Sequence, residues 1–121
     1  MAMIIDAAKD AALDYIRTNA TVLYICNALP TTYAQASATY KLGTKTSPTI
    51  GANGAGTPDG RKATVAAITD GTVDSAGTAS HWAICSGSAL LATSTLSASK
   101  SIVTGSPFTL AAFDIRIAEA T

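Results

Sequence analysis

His81 is the single histidine of the chain, so any nucleophile that relies on an imidazole base would have to use it. It lies in the run Thr78–Cys85, directly before Trp82. Cys85 follows four residues later, about 13 Å along an extended strand, too far to share a hydrogen bond with His81. No Gly-x-Ser-x-Gly elbow is present. The expected role is a histidine held in a sheet by hydrogen bonds. Carboxylate pairs for glycoside chemistry are equally weak. Glu119 is the one glutamate and lies in the C-terminal tail, while Asp59, Asp70, Asp74 and Asp114 fall mainly in turn-like sequence. Asp6, Asp10 and Asp14 form an i, i+4, i+8 stripe that could suggest a metal or acid–base site. Lys9 and Arg17 offset part of its repulsion, and a solvated helix face explains it without a ligand. No catalytic residue, cofactor site or metal site is therefore expected.

The segment Gly51-Ala52-Asn53-Gly54-Ala55-Gly56-Thr57-Pro58 has the glycine spacing of a phosphate loop. The Lys-Ser/Thr that should follow the second glycine is replaced by Thr57-Pro58, and Pro58 has no N–H to offer a phosphate. Gly60-Arg61-Lys62 adds two positive charges, which read as strand-edge charges that discourage misplaced pairing. Cys26 and Cys85 lie 59 residues apart and match no zinc or redox spacing. Two readings stand for them: small buried thiols, or one disulfide within or between subunits. Asn19-Ala20-Thr21 spells a glycosylation sequon, read as chance because the N-terminus shows no basic stretch followed by an apolar run, and hence no secretory signal.

The elements that must position these residues form a helix followed by short β-type runs, in one domain spanning 1–121. Ile5, Ala8, Ala12 and Ile16, with Tyr15 beside them, have the spacing of a helix face, which predicts a helix over about 5–17 with Asp6 as its N-cap. Ala20–Asn27 is a β-branched and aromatic strand stopped by Pro30. Thr31–Gly43 lacks a clear period and reads as an excursion with a short turn of helix. Thr44–Gly60, rich in Gly and Pro, reads as a long surface loop. Arg61–Thr69 is a strand ended by Asp70-Gly71, with a second turn over 72–77. Thr78–Cys85 carries small or apolar groups on both faces, which argues for a central strand. Ala89–Leu96 and Ile102-Val103 are further strands joined by 97–101. Phe108–Ile117 is the last, and its parity breaks near Ala111-Ala112, where a bulge or bend would restore register. Turn signals every eight to twelve residues predict a mostly β protein, an antiparallel sandwich or barrel-like domain with one N-terminal helix.

Composition narrows the function classes. The 121 residues carry 8 basic and 8 acidic side chains, 48% hydrophobic residues and, counted along the chain, 25 Ala, 18 Thr and 11 Ser. That apolar fraction suits a folded domain with a real core and not a disordered chain. Zero net charge with no basic stripe argues against nucleic acid as a partner. No apolar run approaches the roughly 20 residues of a membrane-spanning helix, so no membrane partner is expected. A hydroxyl-rich surface of low charge keeps a free monomer poorly soluble, which fits a subunit covered by neighbours.

A series of segments carries a resemblance. Leu13-Asp14-Tyr15-Ile16 leads to Leu23-Tyr24-Ile25-Cys26-Asn27 and Pro30-Thr31-Thr32-Tyr33. Gly60-Arg61-Lys62-Ala63-Thr64-Val65 continues to Thr69-Asp70-Gly71. Ala79-Ser80-His81-Trp82-Ala83-Ile84, Leu90-Leu91-Ala92, Leu96-Ser97-Ala98-Ser99, Gly105-Ser106-Pro107-Phe108 and Phe113-Asp114-Ile115 follow. From Asp6 to Ile117 this order resembles a family of small virion structural proteins of tailed bacteriophages, of the head-decoration or neck and tail accessory type. The resemblance implies a non-enzymatic component assembled in many copies on the virion inside the bacterial host cytoplasm. Its implied partners are the major capsid protein or neck and tail proteins, together with copies of itself. It transfers no catalytic residues, and disulfides between neighbouring subunits, as in some hardened particles, stay open for Cys26 and Cys85. Capsid decoration leads, with a collar, tail or short-fibre position and a receptor- or glycan-binding module as alternatives. Contacts are expected from the N-terminal helix, the Thr44–Gly60 loop and the tail 118–121, with Asn53, Pro58, Arg61, Lys62 and Glu119 as candidate contact residues.

Overall fold

The computed structural model describes residues 5–55 and 60–117. Helix α1 spans Asp6–Asn19. Its N-cap is Ile5, with no side-chain cap bond, and Asp6 lies inside the first turn. There it accepts a hydrogen bond from Lys9 Nζ at 3.3 Å instead of capping the helix as the sequence suggested. The strands follow as β1 (Val22–Cys26), β2 (Lys41–Thr46), β3 (Gly54–Ala55), β4 (Arg61–Val65), β5 (Ile68–Val73), β6 (Gly77–Cys85), β7 (Leu90–Ile102), β8 (Phe108–Leu110) and β9 (Phe113–Ile117).

Six strands, ordered β7-β6-β1-β2-β5-β8 and antiparallel throughout, curl into half a barrel. The remaining three form a small sheet ordered β3-β4-β9. Leu13 of α1, Leu23 and Ile25 of β1, Val65 of β4, Trp82 and Ile84 of β6, Phe108 of β8 and Ile115 of β9 belong to one buried cluster. Helix and both sheets thus close over the larger of two buried clusters, in the mostly β, barrel-like arrangement with one N-terminal helix that the sequence predicts. The apolar side chains of this cluster supply the non-directional part of the stability.

Several boundaries differ for physical reasons. Lys41–Thr46, read from sequence as the end of an excursion and the start of a loop, pairs with β1 as a full strand. Asp70-Gly71 is no turn: it continues β5, and Gly71 lies directly across from Phe108. A Cβ on Gly71 would come within 2.1 Å of the Phe108 ring, and one on Gly43 within 2.8 Å of the Thr72 carbonyl. The two glycines therefore make room for an aromatic ring, a tertiary demand that looks like turn chemistry in one dimension. The parity break at Ala111-Ala112 is where the chain leaves the large sheet as β8 and enters the small one as β9.

The other face of β1 and β6 carries a second, smaller cluster. Val22, Cys26, Ala83 and Cys85 are covered by Ala36 and flanked by the half-buried Tyr24, Tyr33, Tyr40 and Leu90. The cover is a π-helical turn over Gln35–Thr39, closed by the Tyr40 N–H donating to the Gln35 carbonyl at 2.8 Å. Gln35 Oε1 accepts from both the Thr31 N–H and hydroxyl, and Thr32 Oγ1 accepts from the Gln35 N–H, which ties down the entry of this turn. The expected short turn of helix is thus the lid of a second core.

Candidate functional site

Helix α1 places its charges against the body of the protein. Asp10 accepts from Arg61 Nε at 2.8 Å and from Arg61 Nη2 at 3.2 Å, a two-pronged ion pair to β4. Asp14 accepts from Asn53 Nδ2 at 2.8 Å and from Arg17 at 3.0 Å. Asn53 Nδ2 also reaches the Asp10 carbonyl at 3.3 Å. Asp6 and Asp14 stay largely exposed, at 67% and 55%, as a solvated face requires, and pair with Lys9 and Arg17 of the same helix, whereas Asp10, at 29%, turns toward the body. Asp10 and Asp14 clamp the helix to the chain around β3 and β4. Lys9, with 1% exposure, and Leu13, with 0%, are the buried residues of the helix. Of the predicted core face, Ile16 is half-buried and packs against the core, whereas Ile5 is 60% and Tyr15 63% exposed, and Ala8 and Ala12 lie in solvent beside them.

The candidate contact residues fall as follows. Asn53 and Arg61 hold α1, as above. Lys62 donates to Asp114 at 3.4 Å, and Thr64 Oγ1 donates to the same carboxylate at 2.7 Å. The Thr64 hydroxyl, followed by Lys62, holds the Asp114 carboxyl below its usual range. β4 is the middle strand of its sheet, so Arg61 and Lys62 are not the edge charges that the sequence suggested. Pro58 and Glu119 lie outside the described residues. The described part of the glycine segment, 51–55, is built into the small sheet. Gly54 and Ala55 pair with β4, Ile50 bridges to Val65, and the Gly51 N–H donates to the Thr64 carbonyl at 2.8 Å. That N–H has no freedom to cradle a phosphate.

His81 Nδ1 lies 2.7 Å from Ser80 Oγ, a contact between neighbours in sequence. A serine nucleophile also needs the far side of the imidazole oriented. No carboxylate is bonded to His81 among the described residues. Across the strand pair His81 sits opposite Cys26, and Cys85 opposite Val22. The two cysteines share a face but are offset by four residues in register, and both are free, buried thiols. Burial pushes each thiol up to about 11, the reverse of an activated nucleophile. Burial, followed by the neighbouring Tyr33, likewise pushes Tyr24 up to about 12. Trp82, 6% exposed, packs on Phe113 with ring centroids 4.7 Å apart, so its face is occupied by the small sheet and is not free for a sugar.

These raised values fix an alkaline response. A group whose folded pKa is raised stabilises the fold below its unfolded value and loses that contribution as pH rises toward the folded one. The thiols ordinarily titrate near 9.0 and in the fold near 11, so stability is expected to fall as pH climbs through that window. Thermal unfolding between neutral and strongly alkaline pH checks this, and the Cys26→Ala, Cys85→Ala double variant should show a flatter profile. An equally steep fall in the variant would assign the effect to other groups.

Shallow clefts complete the surface. One of about 340 Å³ is lined by Thr44, Lys45, Thr46, Asp70, Thr72 and Asp74 between β2 and β5. Its charges are already paired, Lys45 with Asp70 at 3.0 Å and Lys41 with Asp74 at 3.7 Å. Among the described residues no group of three His, Cys, Asp or Glu could hold a metal ion, and no helix is long and apolar enough to cross a membrane. No family model matches the chain, and no match was found among curated proteins or solved structures.

Proposed function

We propose that the protein is a non-enzymatic structural component of a tailed-bacteriophage virion, decorating or linking the capsid shell through many-copy protein–protein contacts. The observation that carries this reading is where the charge goes. Asp6, Asp10, Asp14, Asp70, Asp74 and Asp114 each pair with a base of the same chain. Beside the paired Asp6 and Asp14, the outward residues of α1 are alanine, isoleucine, tyrosine and threonine, and those along much of β7 are serine and threonine. Such a surface brings little long-range steering and little repulsion, and favours close contact at short range with neighbours held at high local concentration. The partners in this reading are the major capsid protein and further copies of the chain.

A neck, collar or tail position uses the same surfaces at lower copy number. The receptor- or glycan-binding alternative draws on the hydroxyl-lined cleft between β2 and β5, where Thr44, Thr46 and Thr72 stand beside two carboxylates. The test is addition of purified protein to particles of the source phage assembled without it. Saturable co-sedimentation with the shell is the expected result. Absence of binding to intact particles, together with retention of a glycan on an array, would replace the structural reading by the binding-module one.

A further inference from the structure

Asn53 is the only asparagine of the chain followed by glycine; Asn19 and Asn27 each precede alanine. A glycine in the next position leaves its backbone nitrogen unshielded and its dihedrals free, so that nitrogen can attack the asparagine side chain. The structure itself makes no demand for this glycine. Gly54 has no left-handed φ, and a Cβ on it would meet nothing within 4 Å among the described residues. Asn53, by contrast, is committed to the helix clamp. Its Nδ2 donates to Asp14 Oδ1 at 2.8 Å and to the Asp10 carbonyl at 3.3 Å, and both partners can only accept. Its Oδ1 is buried with no hydrogen-bond partner among the described residues.

We propose that Asn53-Gly54 is a deamidation site that acts as a one-way latch on α1: the intact amide holds the docked helix, and its conversion to an acid keeps a lifted helix from docking again. The Gly54 nitrogen bonds to Asn53 Cγ while the bond from Cγ to Nδ2 breaks. The Gly54 amide proton passes through solvent to the leaving nitrogen, which departs as ammonia. Water then opens the five-membered succinimide at either carbonyl, leaving aspartate or isoaspartate. With α1 docked, the amide nitrogen is tethered to two helix acceptors and Gly54 is held in register with Lys62, so attack waits for a local opening. Afterwards an oxygen stands where Nδ2 donated, facing the Asp14 carboxylate and the Asp10 carbonyl, and neither new carboxylate oxygen has a donor in place. Arg17, already bonded to Asp14, would then have to serve two carboxylates. The Asp10–Arg61 pair survives, so the helix is loosened and not lost. The latch stands independently of the assembly reading.

The experiment is incubation of the full chain at mildly alkaline pH, with peptide mass spectrometry locating each amide converted to acid. Conversion is expected at Asn53, with Asn19 and Asn27 retained. Gly54→Ala should slow it several-fold without lowering the melting temperature, because the added methyl group has room. Arg61→Ala removes the other half of the clamp and should speed it several-fold by raising the share of molecules with α1 lifted. The deamidated chain, separated by ion exchange on its extra negative charge, is then compared with the parent by hydrogen exchange. Protection in α1 should fall roughly tenfold while that of β6 is kept, and Asn53→Asp should behave alike. Using the naturally converted chain keeps the comparison open even where Asn53→Asp folds poorly. No conversion at Asn53 would overturn the site. An unchanged rate in Arg61→Ala, or unchanged α1 protection after conversion, would overturn the latch.

Discussion

Gly71→Ala is expected to destabilise the fold by about 2–3 kcal/mol, lowering the melting temperature by roughly 10 °C. A methyl group there would sit within 2.1 Å of the Phe108 ring, which is 2% exposed and wedged between β5 and the core. The ring cannot swing outward without exposing apolar surface, nor inward without displacing its neighbours, so the backbone pairing of Gly71 with Phe108 must yield. The mechanism makes a sharper expectation in the Phe108→Leu background. There the clash is relieved, and the added cost of Gly71→Ala should fall below about 1 kcal/mol. Chemical denaturation of the four members of this cycle checks it. Equal costs in both backgrounds would show that the glycine is needed for its backbone alone.

Trp82→Ala should cost about 3–5 kcal/mol. The indole belongs to β6 of the large sheet and stacks on Phe113 of β9 in the small one, so its removal both empties a core position and loosens the contact between sheets. Trp82→Phe keeps an aromatic partner for Phe113 and should recover most of the loss, since such pairs add roughly 0.5–1.5 kcal/mol beyond their buried area. Denaturant titration followed by circular dichroism measures both variants. A loss below about 1 kcal/mol for Trp82→Ala would mean that the two sheets are held together elsewhere.

The same residues show how much was legible in one dimension. β6 could be read because both of its faces carry small or apolar groups, as a strand flanked by β1 and β7 requires. The sheet change at Ala111-Ala112 left a parity break that pointed to its own position. Lys41–Thr46 and Ile68–Val73 were harder, because Gly43 and Gly71 interrupt them for the sake of a ring 37 or more residues away in sequence. The helix was legible in extent and not in orientation. The sequence reading put Ile5, Ala8, Ala12 and Ile16 on the core face with Tyr15 beside them; only Ile16 packs there, because the clamp from Asp10 to Arg61 and from Asp14 to Asn53 turns Lys9, Leu13 and Ile16 inward. The regular aspartate spacing was the available signal: three carboxylates on one side of a helix call for bases opposite, and Arg61 supplies one. The shared face of Cys26 and Cys85 follows from the register of β1 with β6, which the sequence does not state.

The exposed Ile5 and Tyr15 of α1, the internally paired aspartates and the hydroxyl-rich strands all describe a chain whose outer surfaces suit neighbours, and the proposed virion role turns on whether those neighbours are a shell. Copy number per particle, from quantitative mass spectrometry of purified virions of the source phage, addresses this most directly. Hundreds of copies per particle are the expected result and would place the protein on the capsid lattice. A dozen or fewer would move it to the neck or tail, and its absence from the particle would contradict the structural role altogether.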